Sequence, residues 1–197
     1  MTTIAPIVPG STARRAGEVD NLATYLSFGL AYVVGHGAAA VSHGDAPLVR
    51  LPGWLPLTLL GIGLAVGTVN ATVAATRAQR GAGKPEALAG KLLGAAWITG
   101  FTALFLTITG LSAAIDHPEL QAMLWPAGSS LVVGLLYLAE GVARRNALHY
   151  TLGTCLVLVA GVSFLFGTPG LFWILAVAGG FAYAVAAVLE RRRLARV

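Results

Sequence analysis

The sequence predicts an all-α integral membrane protein, a six-transmembrane-helix bundle with both termini on the cytoplasmic side. Three observations carry that reading. The 197 residues are 56% hydrophobic and 11% charged, where a soluble domain has roughly 25% charged residues. The apolar residues fall into six blocks, several long enough to cross about 30 Å of hydrocarbon. Twelve of the thirteen Lys and Arg residues lie on one side of the membrane those blocks define, and short loops rich in Lys and Arg stay cytoplasmic.

The N-terminal tail, 1–20, carries Arg14 and Arg15. The first span, 22–42, follows after Glu18 and Asp20. Arg14-Arg15, the apolar run and Ala38-Ala39-Ala40 loosely resemble a secretory signal peptide. The run is too long for one, however, and two carboxylates interrupt the approach to it, so a retained helix is expected. The second span, 55–76, ends in a loop holding Arg77, Arg80, Lys84 and Lys91, and the third covers 92–114. The fourth (124–143) and fifth (147–166) flank the Arg144-Arg145 turn, and the sixth (170–189) leads into a basic tail, 191–197. The membrane domain is thus 21–190, with no room left for a soluble domain.

Trp54, Trp125 and Trp173 sit where chains re-enter from the outer face, the depth at which indoles gather. Pro52, Pro56, Pro126 and Pro169 are placed at helix starts, where a missing N–H costs little. No proline falls mid-span, so no centrally broken helix is expected.

Small residues recur at fourfold spacing and predict close helix contacts. The clearest sets are Ala31, Gly35 and Ala39 in the first span, and Gly63, Gly67 and Ala71 in the second. Ser130 and Gly134 in the fourth and Ala176, Gly180 and Ala184 in the sixth repeat the pattern. Cys155 is the sole cysteine and reads as a small apolar residue.

Polar residues inside the spans are the candidates for function. No charged group falls near a span centre, although proton-coupled carriers commonly place a carboxylate there. His36 is the most deeply placed ionisable group, either packed in the core or acting as a gate. Asn70 either joins two helices or lines a cavity. Glu140 and His149 fall at similar depth beside Arg144, as an interfacial ion pair or part of a solute site. His36, Asn70, Glu140 and His149 are therefore the candidate solute-binding or gating residues.

Outside the membrane, His43, Asp45, His117 and Glu119 match no metal-ligand spacing, and a short helix starting at Asp116 explains the last two. No metal site and no cofactor is predicted. The histidines do not form the two pairs of a di-haem bundle. Gly128-Ser129-Ser130 has no histidine at the same depth to make an intramembrane serine protease. The net charge of +5 reflects topology and calls for no nucleic acid.

Two function classes remain. One is a channel, transporter or membrane solute-binding subunit for a small solute. Its predicted size and topology are similar to those of small bacterial channels and of vitamin-importer membrane subunits, in shape alone. The other is an accessory or sensory subunit that binds a partner protein. A cavity lined by His36, Asn70 or Glu140 favours the first, and a dry bundle with an exposed small-residue stripe favours the second. The expected partners are the lipid bilayer and either a homo-oligomer or a partner membrane subunit. Eleven Arg against two Lys, with abundant Ala, Gly and Val, suggests a bacterial inner membrane.

Overall fold

A computed structural model describes residues 19–117 and 120–196. Six helices carry the fold: α1 (Leu22–Ser42), α2 (Trp54–Gln79), α3 (Lys84–Ala114), α4 (Gln121–Ala143), α5 (Ala147–Ser163) and α6 (Gly170–Leu194). Five are long and apolar enough to cross a membrane. The exception is α5, whose 17 residues span about 25 Å at 1.5 Å per residue. Six crossings therefore remain an expectation.

Element boundaries moved where local chemistry was read too narrowly. Helix α3 begins at Lys84, because Gly83 is extended and Pro85 fits the first turn. Pro126 lies inside α4 rather than at its start, since the helix already runs from Gln121. The short helix expected from Asp116 through Met123 rests partly on Pro118 and Glu119, which lie outside the described residues. Arg191, Arg192 and Arg193 continue α6 instead of opening a separate tail.

Two helices also change pitch. Tyr32–His36 in α1 and Leu175–Gly179 in α6 are π-helical, and each is continuous with α-helix on both sides. Such one-turn bulges widen the ladder from i→i+4 to i→i+5 and recur at functional sites. Here they pack on each other. A Cβ added at Gly179 would meet the Tyr32 ring, and one at Gly180 would meet Val33.

The helices form an incomplete ring in the order α2, α1, α6, α5, α4, α3. Small residues set the close approaches, as their spacing predicts. A Cβ built on Gly63 would lie 2.6 Å from the Cβ of Ala31, and one on Gly35 2.7 Å from the Cα of Leu60. One on Gly141 would lie 2.6 Å from the Tyr150 nitrogen, so α4 and α5 run nearly backbone to backbone. Helices α2 and α3 scarcely touch each other, and the ring stays open between them. Only 6% of the most apolar window of each is buried, against 56% in α1 and 50% in α6.

Helix α4 ends in a Schellman motif. The Asn146 N–H donates to the Gly141 carbonyl (2.8 Å) and the Arg145 N–H to the Val142 carbonyl (3.1 Å). Arg145 occupies the left-handed position with φ 52°, where glycine is the unstrained choice. Asn146 then caps α5 by accepting from the His149 N–H at 3.1 Å.

Candidate functional site

Helix α1 places Tyr25, Phe28, Tyr32 and His36 on one side at helical spacing, with His43 extended just past its end, which directs a row of rings into the bundle. All but His43 are buried. Helices α4, α5 and α6 answer with Tyr137, His149 and Tyr183, also buried. The result is a column of polar aromatic rings along the core.

At the end bearing the basic turns, the Tyr25 hydroxyl and His149 Nδ1 are 2.7 Å apart, with the rings stacked at 5.8 Å. His149 Nε2 faces Glu140 Oε2 at 3.5 Å, beyond ordinary hydrogen-bond length. Arg144 Nε donates to Glu140 Oε1 at 2.7 Å. With the imidazole proton on Nε2, Tyr25 donates to Nδ1 and the N–H points toward the carboxylate. The Tyr137 ring lies 4.1 Å from that of His149, and its hydroxyl has no hydrogen-bond partner among the described residues.

The column continues through Tyr183, 6.5 Å from Tyr137 and 5.2 Å from Tyr32. Tyr32 shares a 2.7 Å hydrogen bond with Ser130 of α4. His36 meets Tyr32 edge-on at 5.0 Å and stacks on Phe172 at 6.4 Å. His43 closes the far end, 5.0 Å from Phe172.

A second charge pair, within α6, ties that helix to the segment just before α1. Glu190 is fully buried, accepting from the Asn21 N–H at 2.9 Å and from Arg193 at 2.7 and 2.8 Å. Arg193 Nη2 also donates to the Val19 carbonyl at 2.9 Å.

The four predicted residues separate into three places. Glu140 and His149 come together, joined by Arg144 as expected and by Tyr25, which was not. His36 belongs to the same column but lies beyond Tyr32. Asn70 stands apart, where its Nδ2 donates to Ser27 Oγ at 2.8 Å and ties α2 to α1. The tyrosines were missed although Tyr25, Tyr32, His36 and His43 recur at intervals of seven, four and seven, a one-face helical pattern.

One cavity of about 560 Å³ lies at the basic end, between the facing ends of α2 and α3. Arg144, Arg145 and Asn146 of the α4–α5 turn, Arg193, Gln79 and Glu86 supply its polar lining. Neither His36, Asn70, Glu140 nor His149 lines it. Among the described residues no group of three His, Cys, Asp or Glu side chains is placed to hold a metal; Glu119 lies outside them. Comparison with protein-family models, with curated proteins and with solved structures finds no match.

Proposed function

We propose that this multi-pass membrane protein is an accessory subunit whose α2 and α3 pack against a partner protein within the bilayer. The observation that carries this reading is the contrast between a ring-filled core and two helices left almost wholly unburied by their own chain. Apolar exposure is normal toward lipid. What adds to it is the surface of α3, where Leu92, Ala95, Thr99, Thr102, Leu106 and Thr109 are all exposed. Their spacing alternates between three and four, the repeat of a helix–helix seam. Small and hydroxyl residues at its centre suit close packing in lipid.

Proximity trapping in native membranes tests the reading. Thr102→Cys and Leu106→Cys, each in a Cys155→Ser background, are expected to cross-link to one discrete second polypeptide, and cross-linking to another copy alone overturns the accessory reading. Equivalent cysteines at Leu158 on α5 serve as controls. A chain that stays single and uncross-linked at all positions excludes the reading.

The cavity favours a second reading, solute binding from the basic end, with Arg144 and Arg145 meeting the solute. Saturable solute binding that is lost in Arg145→Gln and retained in His36→Ala is the result that would select it. The basic ends of the helices are placed in the cytoplasm on the charge asymmetry, in a bacterial inner membrane, with both termini inside. Reporter fusions after Val197 and within residues 116–120 test that orientation.

A further inference from the structure

We infer that the cavity at the basic end is a binding site for a phosphate-bearing group, at the level where lipid headgroups lie. Three features of the cavity point to this chemistry. It is bounded by Arg144, Arg145 and Arg193 against the single carboxylate of Glu86. Guanidinium groups present a planar fork that matches phosphate oxygens. Two of the three are already oriented, Arg144 by Glu140 at 2.7 Å and Arg193 by Glu190 at 2.7 Å. Holding a side chain in place beforehand removes part of the ordering cost of binding.

Arg145 is different. It is exposed and forms no ion pair among the described residues. Its backbone occupies a conformation suited to glycine, so a charged side chain is kept there at some conformational cost. The location adds the second argument. The cavity sits between the ends of two helices that barely touch, so it opens beside the gap in the ring. Basic pockets between transmembrane helices at this level accept anionic headgroups. A volume of about 560 Å³ lies within the roughly 300–1,000 Å³ of small-molecule sites. Glu86 lies where it would meet an ammonium or hydroxyl group on the same ligand.

A lipid phosphate and a free phosphate share this chemistry, and the experiment separates them. The purified, delipidated protein is placed in phosphate-free dodecyl maltoside micelles, and its thermal midpoint is followed as phosphatidylglycerol is added to the micelles. In parallel, inorganic phosphate and glycerol 3-phosphate are titrated into micelles without lipid. Arg145→Gly is the companion variant, because it relaxes the backbone while removing the charge and should fold at least as well. A saturable rise with phosphatidylglycerol only assigns a lipid site, and a rise with the soluble phosphates assigns a free one. In either case Arg145→Gly should weaken the apparent affinity roughly fivefold, the worth of one basic residue near an anionic surface. No rise with any probe, or a rise that Arg145→Gly leaves unchanged, overturns the site. Neither result bears on partner cross-linking through α3, so the two ideas fail separately.

Discussion

The Tyr25 hydroxyl and the Nδ1 of His149, 124 residues apart in sequence, lie 2.7 Å from each other in the buried core. That bond links α1 to α5, two helices that otherwise hardly touch. Interhelical hydrogen bonds in membranes are worth about 0.6 kcal/mol on average and up to about 1.7. This one also orients an imidazole toward Glu140.

Tyr25→Phe should therefore lower stability by about 1 kcal/mol while keeping the ring stack. Equilibrium unfolding in mixed micelles measures it. The double variant Tyr25→Phe, His149→Leu is expected to lose less than the sum of the singles, because neither partner is then left unsatisfied. Strict additivity would show that the bond does not form.

The second charge pair predicts a larger and asymmetric effect. Arg193→Met strands the fully buried Glu190 carboxylate and should cost about 3–5 kcal/mol, or abolish accumulation of the protein. Adding Glu190→Leu removes the stranded charge and should recover most of the loss. Expression level and thermal midpoint report both variants, and equal damage in single and double variants would contradict the pairing.

Glycines divide into two groups with opposite outcomes. Gly141→Ala and Gly153→Ala push a methyl to within 2.7 Å of facing backbone atoms and should destabilise by about 1–3 kcal/mol through overpacking. Gly94→Ala and Gly110→Ala meet nothing within 4 Å in their own chain and should raise its stability by up to about 1 kcal/mol. Thermal scans of the single chain in detergent decide between these signs.

Asn70→Ala should act on stability alone. The amide nitrogen donates to Ser27 and the residue does not line the cavity at the basic end, so a loss near 1 kcal/mol is expected. Ser27→Ala should match it. An effect of Asn70→Ala on solute binding without a matching effect of Ser27→Ala would return this residue to a ligand role.

Much of the frame was legible because the membrane makes a blunt demand: long apolar segments, basic turns and small residues where helices touch. That Ala31, Gly35 and Gly63 lie at close helix contacts follows from spacing, while their partners do not. The Glu140–His149–Arg144 grouping was also readable, since a short turn sets consecutive helix ends at one depth. Tyr25 escaped because its partner is four helices away along the chain. The π-helical turns escaped for a physical reason. One extra residue in a turn leaves no mark in hydropathy, and only packing against the neighbouring helix selects it. The cavity is likewise a property of how α2 and α3 splay, which no local pattern encodes.

The clasp between Asn21 and Glu190, 169 residues apart, has a consequence for biogenesis. A ribosome adding roughly 5–20 residues per second needs about 8–34 seconds to reach the second residue after making the first. For much of that interval α1 waits in or beside the insertion machinery, because Ser130 and His149, the partners of Tyr32 and Tyr25, arrive only with α4 and α5. Helix α1 precedes α6 in synthesis yet is fully satisfied only after it, and a chain truncated before α6 should be cleared by membrane quality control.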